Sequence, residues 1–310
     1  MLDKVSLWRS TAGKRPLEVA FFGGTFTALP EEIQAELLVS LQPLLEEGTI
    51  TSVRISTRPD YINADHVAWL AQMGVSTIEL GVQSMDDAVL AASGRGHSAA
   101  DSLSAIRCIK KQGLQAGAQL MPGLPGDTPA GSLASLDRVI AEGADFLRIY
   151  PTIVLQGTEL ARRYEAGEFM PLSLDRGVSL CKLLLQRAMQ AGIPVIRLGL
   201  QDDTGLDSLS VLGGCWHPAL GQLVRSQLYA DLVTLFVPPG RSATVYCHPA
   251  RLSDLLGMKR ANLQRQAERG VQMRVVTDAS LKKEELEIQI EDSTAIYSII
   301  SDLHYSIHEV

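Results

Sequence analysis

A parallel α/β protein, arranged either as a partial barrel or as a doubly wound sheet, is what this sequence predicts, and three observations predict it. Between Leu17 and Leu200, short β-branched runs alternate with longer amphipathic stretches, giving six strands interleaved with helices. Glycines close several of those helices. The strands end abruptly in polar side chains, most visibly in Val75-Ser-Thr-Ile-Glu-Leu-Gly-Val-Gln-Ser84, with Gly94-Arg-Gly-His97 shortly behind. In βα repeats the C-terminal strand ends face the ligand, so matching polar ends imply one shared pocket.

Taken in order, Leu17–Phe22 reads as a strand and Gly23-Gly24 as its turn. Pro30–Glu47 reads as one helix, with Glu31-Glu32 at its positive end. Ser52–Ser56 is the next strand, and Asp65–Met73 a helix closed by Gly74. Thr77–Val82 is a strand, and the helix from Ala99 to Gln112 ends at Gly113. Gln115–Met121 is a strand, followed by Pro122-Gly-Leu-Pro-Gly126 and a helix from Ala130 to Glu142. Phe146–Tyr150 is a strand, Asp175–Ala191 a helix and Ile193–Leu198 the last strand. After Gln201-Asp-Asp-Thr-Gly205 the rhythm changes, which places a domain boundary there: 1–205 as the barrel-like part and 206–310 as a smaller α+β region. In that region Gly213–Gly221 reads as a loop, Ala243–Tyr246 and Gln272–Val276 as strands, and Arg260–Arg269 as a helix.

Composition narrows the class. The 310 residues are 46% hydrophobic and 20% charged, and they suffice for a substantial core. No apolar run reaches the roughly 18–20 residues of a membrane span. The opening Met1-Leu-Asp-Lys-Val-Ser-Leu-Trp8 lacks the apolar core of a signal peptide, so a cytoplasmic location is expected. A net charge of −7 opposes coating of a polyanion by the chain as a whole and leaves room for local exceptions. Cys108, Cys181, Cys215 and Cys247 are far apart in sequence, as buried reduced thiols of a cytosolic chain are. Cys215-Trp-His217 and Cys247-His248 lack the usual two-to-four-residue ligand gap, and no metal site is expected.

The strand ends carry the chemistry. Phe21-Phe-Gly-Gly-Thr-Phe-Thr27 lets a ligand approach the backbone, although many βα turns carry two glycines for local reasons alone. Ser56 and Thr57 end the second strand before Pro59. Glu79, Gly81 and Gln83 share one face of the third strand if side chains alternate. Polar groups so placed require a polar ligand or an internal network. Arg95 can then pair with a carboxylate. Gln119 opens the Gly123-Leu124-Pro-Gly126 wall, and Arg148-Ile-Tyr150-Pro-Thr152 ends the fifth strand.

As an ordered set, Phe22-Gly-Gly-Thr25, Ser56-Thr-Arg-Pro-Asp-Tyr61, Glu79-Leu-Gly-Val-Gln-Ser84, Arg95-Gly-His97, Met121-Pro-Gly-Leu-Pro-Gly126 and Ile149-Tyr-Pro-Thr152…Gly157-Thr-Glu-Leu160 resembles the radical S-adenosylmethionine enzymes. In particular it is similar to the radical domain of the Elongator catalytic subunit and its bacterial relatives, across residues 17–200. The resemblance implies a partial (β/α)6 TIM-like barrel lacking its first βα unit, with S-adenosylmethionine across the strand ends. It assigns Gly23, Gly24 and Thr25 to the methionine amino group, Gln83 to the ribose, Arg95 to the methionine carboxylate, and the wall with Gly123 and Leu124 to the adenine. Ser56, Thr57, Glu79, Gln119 and Tyr150 complete the expected cofactor site; Ser56 and Gln119 stand where a related porphyrinogen-oxidase branch carries acids. No catalytic residue is assigned.

The family's [4Fe–4S] cluster needs three closely spaced cysteines after the first barrel strand, and this sequence has none there. The chain as it stands is therefore expected to lack reductive cleavage to a 5′-deoxyadenosyl radical, with truncation upstream of Met1 as the expected cause. The alternative is a degenerate protein that binds S-adenosylmethionine or a nucleoside without radical chemistry. A tRNA base is the substrate implied by the resemblance. A third reading, a non-radical enzyme with Glu79 or Asp60 as base, lacks a second catalytic partner in the sequence. An incomplete barrel exposes an edge strand, from which self-association is expected. Residues 251–274 hold six cations against two acids; a helix near Gly257-Met-Lys-Arg260 is similar to small RNA-binding modules, but their GxxG is absent and a solvated helix face is the expected reading.

Overall fold

The computed structural model describes residues 2–13, 15–200 and 210–309, in two compact units, 1–149 and 150–310. The boundary expected at 205/206 lies outside the described residues.

The first unit opens with α1 (Leu2–Ala12), a helix the sequence reading did not contain; Leu7 and Trp8 on it are exposed. It continues with β1 (Glu18–Phe21), α2 (Glu31–Val39), α3 (Gln42–Glu46), β2 (Ser52–Thr57), α4 (Ala64–Gln72), β3 (Val75–Gln83), α5 (Asp87–Ala92), α6 (Ala99–Lys111), β4 (Gln115–Leu120), α7 (Pro129–Ala141) and β5 (Phe146–Ile149). The single helix expected over Pro30–Glu47 is broken between α2 and α3. Pro43 has no amide hydrogen to give the Val39 carbonyl, so it can only sit in the first turn of a new helix. The helix starts follow local chemistry. Asn63 accepts the His66 amide, Asp86 accepts those of Ala88 and Val89, and Ser98 with Asp101 forms a reciprocal cap on α6.

β1 to β5 lie side by side in chain order, each parallel to the next. Strand alternation therefore sorts the whole sheet into two faces. One carries Ile55, Ile78, Leu80, Val82, Ala116, Ala118, Leu120, Leu147 and Ile149, all buried. The other carries Arg54, Ser56, Glu79, Gly81, Gln119 and Arg148, in a register that sets Ser56 beside Glu79, Glu79 beside Gly117, and Gln119 beside Arg148. Gly117 is required by close approach: a Cβ there would meet the Phe146 ring at 2.3 Å. β1 is the outermost strand of this sheet.

The second unit contains β6 (Ile153–Leu155), α8 (Glu159–Glu165), α9 (Leu174–Gln190), β7 (Val195–Leu198), β8 (Val211–Gly214), α10 (Leu220–Phe236), β9 (Ser242–Cys247), α11 (Leu252–Leu256), α12 (Ala261–Glu268), β10 (Gln272–Thr277), β11 (Glu285–Ile290) and β12 (Ser293–Ser298). β6 pairs antiparallel with β8, and a separate sheet runs β10-β9-β11-β12. The sequence reading passed over α10, a helix of 17 residues. Its apolar residues are spread around the helix, so no 3.6-residue stripe marks it. It also passed over the β11–β12 hairpin; Leu286 and Ile288 alternate inward between Glu285, Glu287 and Gln289 and are buried. Among the described residues no helix is long and apolar enough to cross a membrane.

Candidate functional site

The polar face of the first unit is organised around Glu79, which is 5% exposed. Its carboxylate accepts from Arg54 Nη1 at 2.5 Å and from Arg148 Nη2 at 3.0 Å, and lies 2.9 Å from Arg148 Nε. Arg54 also reaches Glu18, at 2.7 Å. Two guanidiniums on one carboxylate remove its desolvation penalty and hold it as an anion acceptor inside the sheet. Arg54 stacks over Phe146 at 5.0 Å, and Arg148 over Phe22 at 5.1 Å. Glu79 is thus a fixed structural charge. Asp60 is likewise held by two bonds from Arg58, at 3.0 and 2.7 Å. Neither carboxylate is poised as a general base.

Further toward the strand ends, β3 departs from regular pairing between Leu80 and Gln83. Gln83 takes φ of 66°, in the left-handed region, which costs a non-glycine residue about 1–2 kcal/mol. That backbone turns its side chain back over Gly81, where a Cβ would lie 2.8 Å from Gln83 Nε2. Gln83 Oε1 accepts from Gln119 Nε2 at 3.1 Å, and the Gln83 carbonyl accepts the Met121 amide at 2.8 Å. Arg95 joins this group through Met121: its Nη2 lies 3.2 Å from the Met121 sulfur, a weak acceptor. Arg95 Nε is buried with no hydrogen-bond partner among the described residues. Burial lowers the pKa of Arg95. A guanidinium so placed still carries its charge at neutral pH, and among the described residues no carboxylate pairs with it.

The first loop forms the other wall. Phe21, Phe22, Gly23, Gly24, Thr25, Phe26, Leu29, Leu37 and Ser56 line a cavity of about 250 Å³ at the ends of β1 and β2. Because the strands are parallel, this cavity and the Gln83–Gln119–Arg95 group lie at the same edge of the sheet. A larger hollow, about 520 Å³, is lined by α2 and α4 residues including Glu31, Asp65, His66 and Trp69, and includes none of the polar strand-end residues.

The structure therefore brings Gly23, Gly24, Thr25 and Ser56 together, and separately Gln83, Gln119 and Arg95. Thr57 points elsewhere: it shares the buried face with Val53 and Ile55, and its hydroxyl bonds to that of Thr27. The Gly123 amide is already donated to Asp127 at 2.8 Å, so it offers no free donor to a ligand. Asp127 also accepts from Ser132 and the Thr128 amide, which braces the wall, and Leu124 is 4% exposed. Burial pushes the Asp127 carboxyl above the usual range in spite of these bonds. Tyr150 opens the second unit. Arg54, Arg148, Phe22 and Met121 are functional neighbours that sequence reasoning did not single out. Alternation counted back from Ser56 marks Arg54, and Gln119↔Arg148 pairing marks Arg148, once the register is known.

Cys181 and Cys215 lie near each other, but no three cysteines gather among the described residues. Cys108 is half-buried on α6, and Cys181, Cys215 and Cys247 are buried. Burial raises all four thiols, Cys215 to about 12 and Cys181 well above its ordinary value, so they are protonated at neutral pH. Among the described residues no group of three or more His, Cys, Asp or Glu side chains is placed to hold a metal ion.

Comparison with known proteins places this geometry in a family. Residues 10–137 match the Radical SAM superfamily, and residues 144–230 match the Radical_SAM C-terminal domain. A tRNA uridine(34) acetyltransferase of Methanocaldococcus infernus is 29% identical over 182 residues, which is 52% of this chain and 34% of that protein. Elongator complex protein 3 of Saccharomyces cerevisiae is 28% identical over 190 residues, 54% of this chain and 34% of that protein. The chain thus spans about a third of the length of the curated relatives it matches. The structure of the archaeal Methanocaldococcus infernus Elp3 with an N-terminal deletion (1–46) superposes with a TM-score of 0.63 at 24% identity, covering 74% of this chain and 57% of that one. The shared fold is a partial TIM-like barrel, to which the first unit contributes five parallel strands. On the two matched segments, the polar strand ends and this fold, the chain belongs to the radical SAM superfamily.

Proposed function

We propose that the strand-end face of the first unit binds S-adenosylmethionine, and that the observation carrying this is half-buried Arg95, whose Nε is enclosed without a hydrogen-bond partner among the described residues. An internal cation without a counterion is costly, and a ligand carboxylate is the group that offsets it. In this reading Arg95 takes the methionine carboxylate, Gln83 and Gln119 take the ribose, and the cavity at Gly23, Gly24, Thr25 and Ser56 takes the amino group. Leu124 contributes an apolar surface against the base. Glu79 with its two arginines holds β2, β3 and β5 in the register that presents these groups.

The described cysteines do not fit a [4Fe–4S] cluster, since no three metal-ligating side chains gather among the described residues. When bound, such a cluster supplies the electron that cleaves the sulfonium in this superfamily; this sequence supplies no thiolate set for it. The reading for these residues is therefore S-adenosylmethionine binding, with reductive cleavage reserved for a chain that carries the cluster ligands. A tRNA nucleoside as substrate, and with it a cytoplasmic location, is supported by the names of the relatives.

Isothermal titration of the whole chain tests the reading. S-adenosylmethionine is expected to bind, and Arg95→Ala to weaken it about 10–100-fold, from the loss of a charge-assisted pair worth about 1.5–3 kcal/mol. Decarboxylated S-adenosylmethionine should show little difference between wild type and variant. Equal affinity of both proteins for intact S-adenosylmethionine overturns the assignment.

A further inference from the structure

We infer that the turn Gly257–Arg260 and the helix α12 after it form a docking surface for the phosphate backbone of single-stranded RNA. The inference stands apart from the strand-end site, since it rests on the second unit's own residues. The expected reading of this segment is a solvated helix face, and three features argue against it.

The first is backbone conformation. Lys259 has φ of 49° and Arg260 has φ of 62°, so two adjacent cationic residues occupy the left-handed region. Each costs about 1–2 kcal/mol that a glycine would not. Both side chains are exposed, and neither has a hydrogen-bond or ion-pair partner among the described residues. Among the described residues no hydrogen bond or ion pair of these side chains repays the conformation; a ligand at the turn does.

The second is rigidity. Asn262, 4% exposed, donates to the Ser226 carbonyl and hydroxyl at 2.9 Å each, and to the Leu255 carbonyl at 3.0 Å. These bonds tie the start of α12 to the end of α11 and to α10. Gly257 sits against the same group, where a Cβ would lie 3.0 Å from Asn262 and from Ser226. The turn therefore presents Lys259 and Arg260 in a fixed direction, which lowers the ordering cost of binding.

The third is charge. Arg265 is exposed one turn into α12 and is also without a partner among the described residues. The first turn of α12 has no acidic residue and no side-chain cap, although the Ala261 amide is given to the Met258 carbonyl. The one carboxylate on α12, Glu268, is at the opposite end of the helix, and Asp254 of α11 is paired with Arg251 at 3.3 Å. A chain of net charge −7 thus keeps a local cationic turn between two helices, of the sign that a phosphate backbone requires.

Fluorescence anisotropy with a fluorescein-labelled 15-nucleotide oligouridylate, on the full chain, tests this across a salt series. Wild type should bind at low salt. Lys259→Glu/Arg260→Glu should weaken binding at least 10-fold, and Lys259→Gln/Arg260→Gln less. The glutamine pair should flatten the slope of log affinity against log salt by about 1.4, at roughly 0.7 per lost phosphate contact. Arg241→Gln, at a cation paired with Glu291, serves as the control and should bind as wild type does. Arg95→Ala should also bind RNA normally, which separates this outcome from failure of the S-adenosylmethionine reading. Unchanged thermal unfolding establishes that the variants are folded. Absence of wild-type binding, undiminished binding by the glutamate pair, or equal displacement by inorganic polyphosphate at matched phosphate concentration overturns the inference.

Discussion

Replacing Glu79 by Gln removes the carboxylate that Arg54 and Arg148 share without changing the shape of the side chain. The Glu79 side chain is 7% exposed, and those of Arg54 and Arg148 are 17% and 21% exposed, so solvent screens the pairs only in part. Each charge-assisted bond of this kind contributes about 1.5–3 kcal/mol, and the glutamine amide would turn a donor toward guanidinium donors. Arg54 keeps its bond to Glu18 at 2.7 Å, which reduces the loss on that side. The net expectation is about 3–5 kcal/mol, the range for removing one partner of a buried pair. For a unit of 149 residues this corresponds to a fall in Tm of roughly 6–20 °C, at about 2–4 °C per kcal/mol. Because the chain has two units, a single melting curve could mix their transitions. Amide hydrogen exchange of β2, β3 and β4 reads the first unit directly. A triple change to Glu79→Leu, Arg54→Met and Arg148→Met should recover most of the loss, since an apolar replacement needs no counterion. Protection in Glu79→Gln within 1 kcal/mol of wild type would refute the central place given to this carboxylate.

Two further outcomes follow from the same geometry. Gly117→Ala drives a methyl into the Phe146 ring and should destabilise the protein by about 1–3 kcal/mol, with Phe146→Leu restoring part of it in urea titrations; a neutral Gly117→Ala would show that the contact is not tight. His66 should titrate below 6.5 in an NMR pH series. Burial disfavours its imidazolium more strongly than nearby Glu31 favours it. Its folded pKa being the lower one, the unfolded chain takes the proton first, so the contribution of His66 to stability is lost as pH falls through about 6.5 and below. A midpoint above 6.5 contradicts this environment.

Much of the barrel was legible because each strand ends in a change of chemistry. Val75–Gln83 passes from apolar to polar within one run, and Ser98 and Asn63 announce helices through side chains that need no tertiary partner. Elsewhere local signals failed for identifiable reasons. α10 is apolar on too many sides to show an amphipathic period, and its burial comes from neighbours distant in sequence. The break between α2 and α3 was signalled by Pro43, which the continuous helical pattern around it concealed. In the site, Thr57 was placed beside Ser56 by proximity in sequence, yet alternation sends adjacent side chains to opposite faces.

The sequence by itself determined the parallel α/β rhythm, the polar strand ends and the family to which they belong, because periodicity and turn chemistry are local properties of the chain. Only the tertiary structure decided that Glu79 is bound by two arginines, that Gly123 has spent its amide on Asp127, and that Arg95 has no counterion among the described residues. Whether a charge is satisfied depends on what lies within about 3 Å of it. That distance is set by strand register and burial, which bring together residues as far apart in the chain as Glu79 and Arg148.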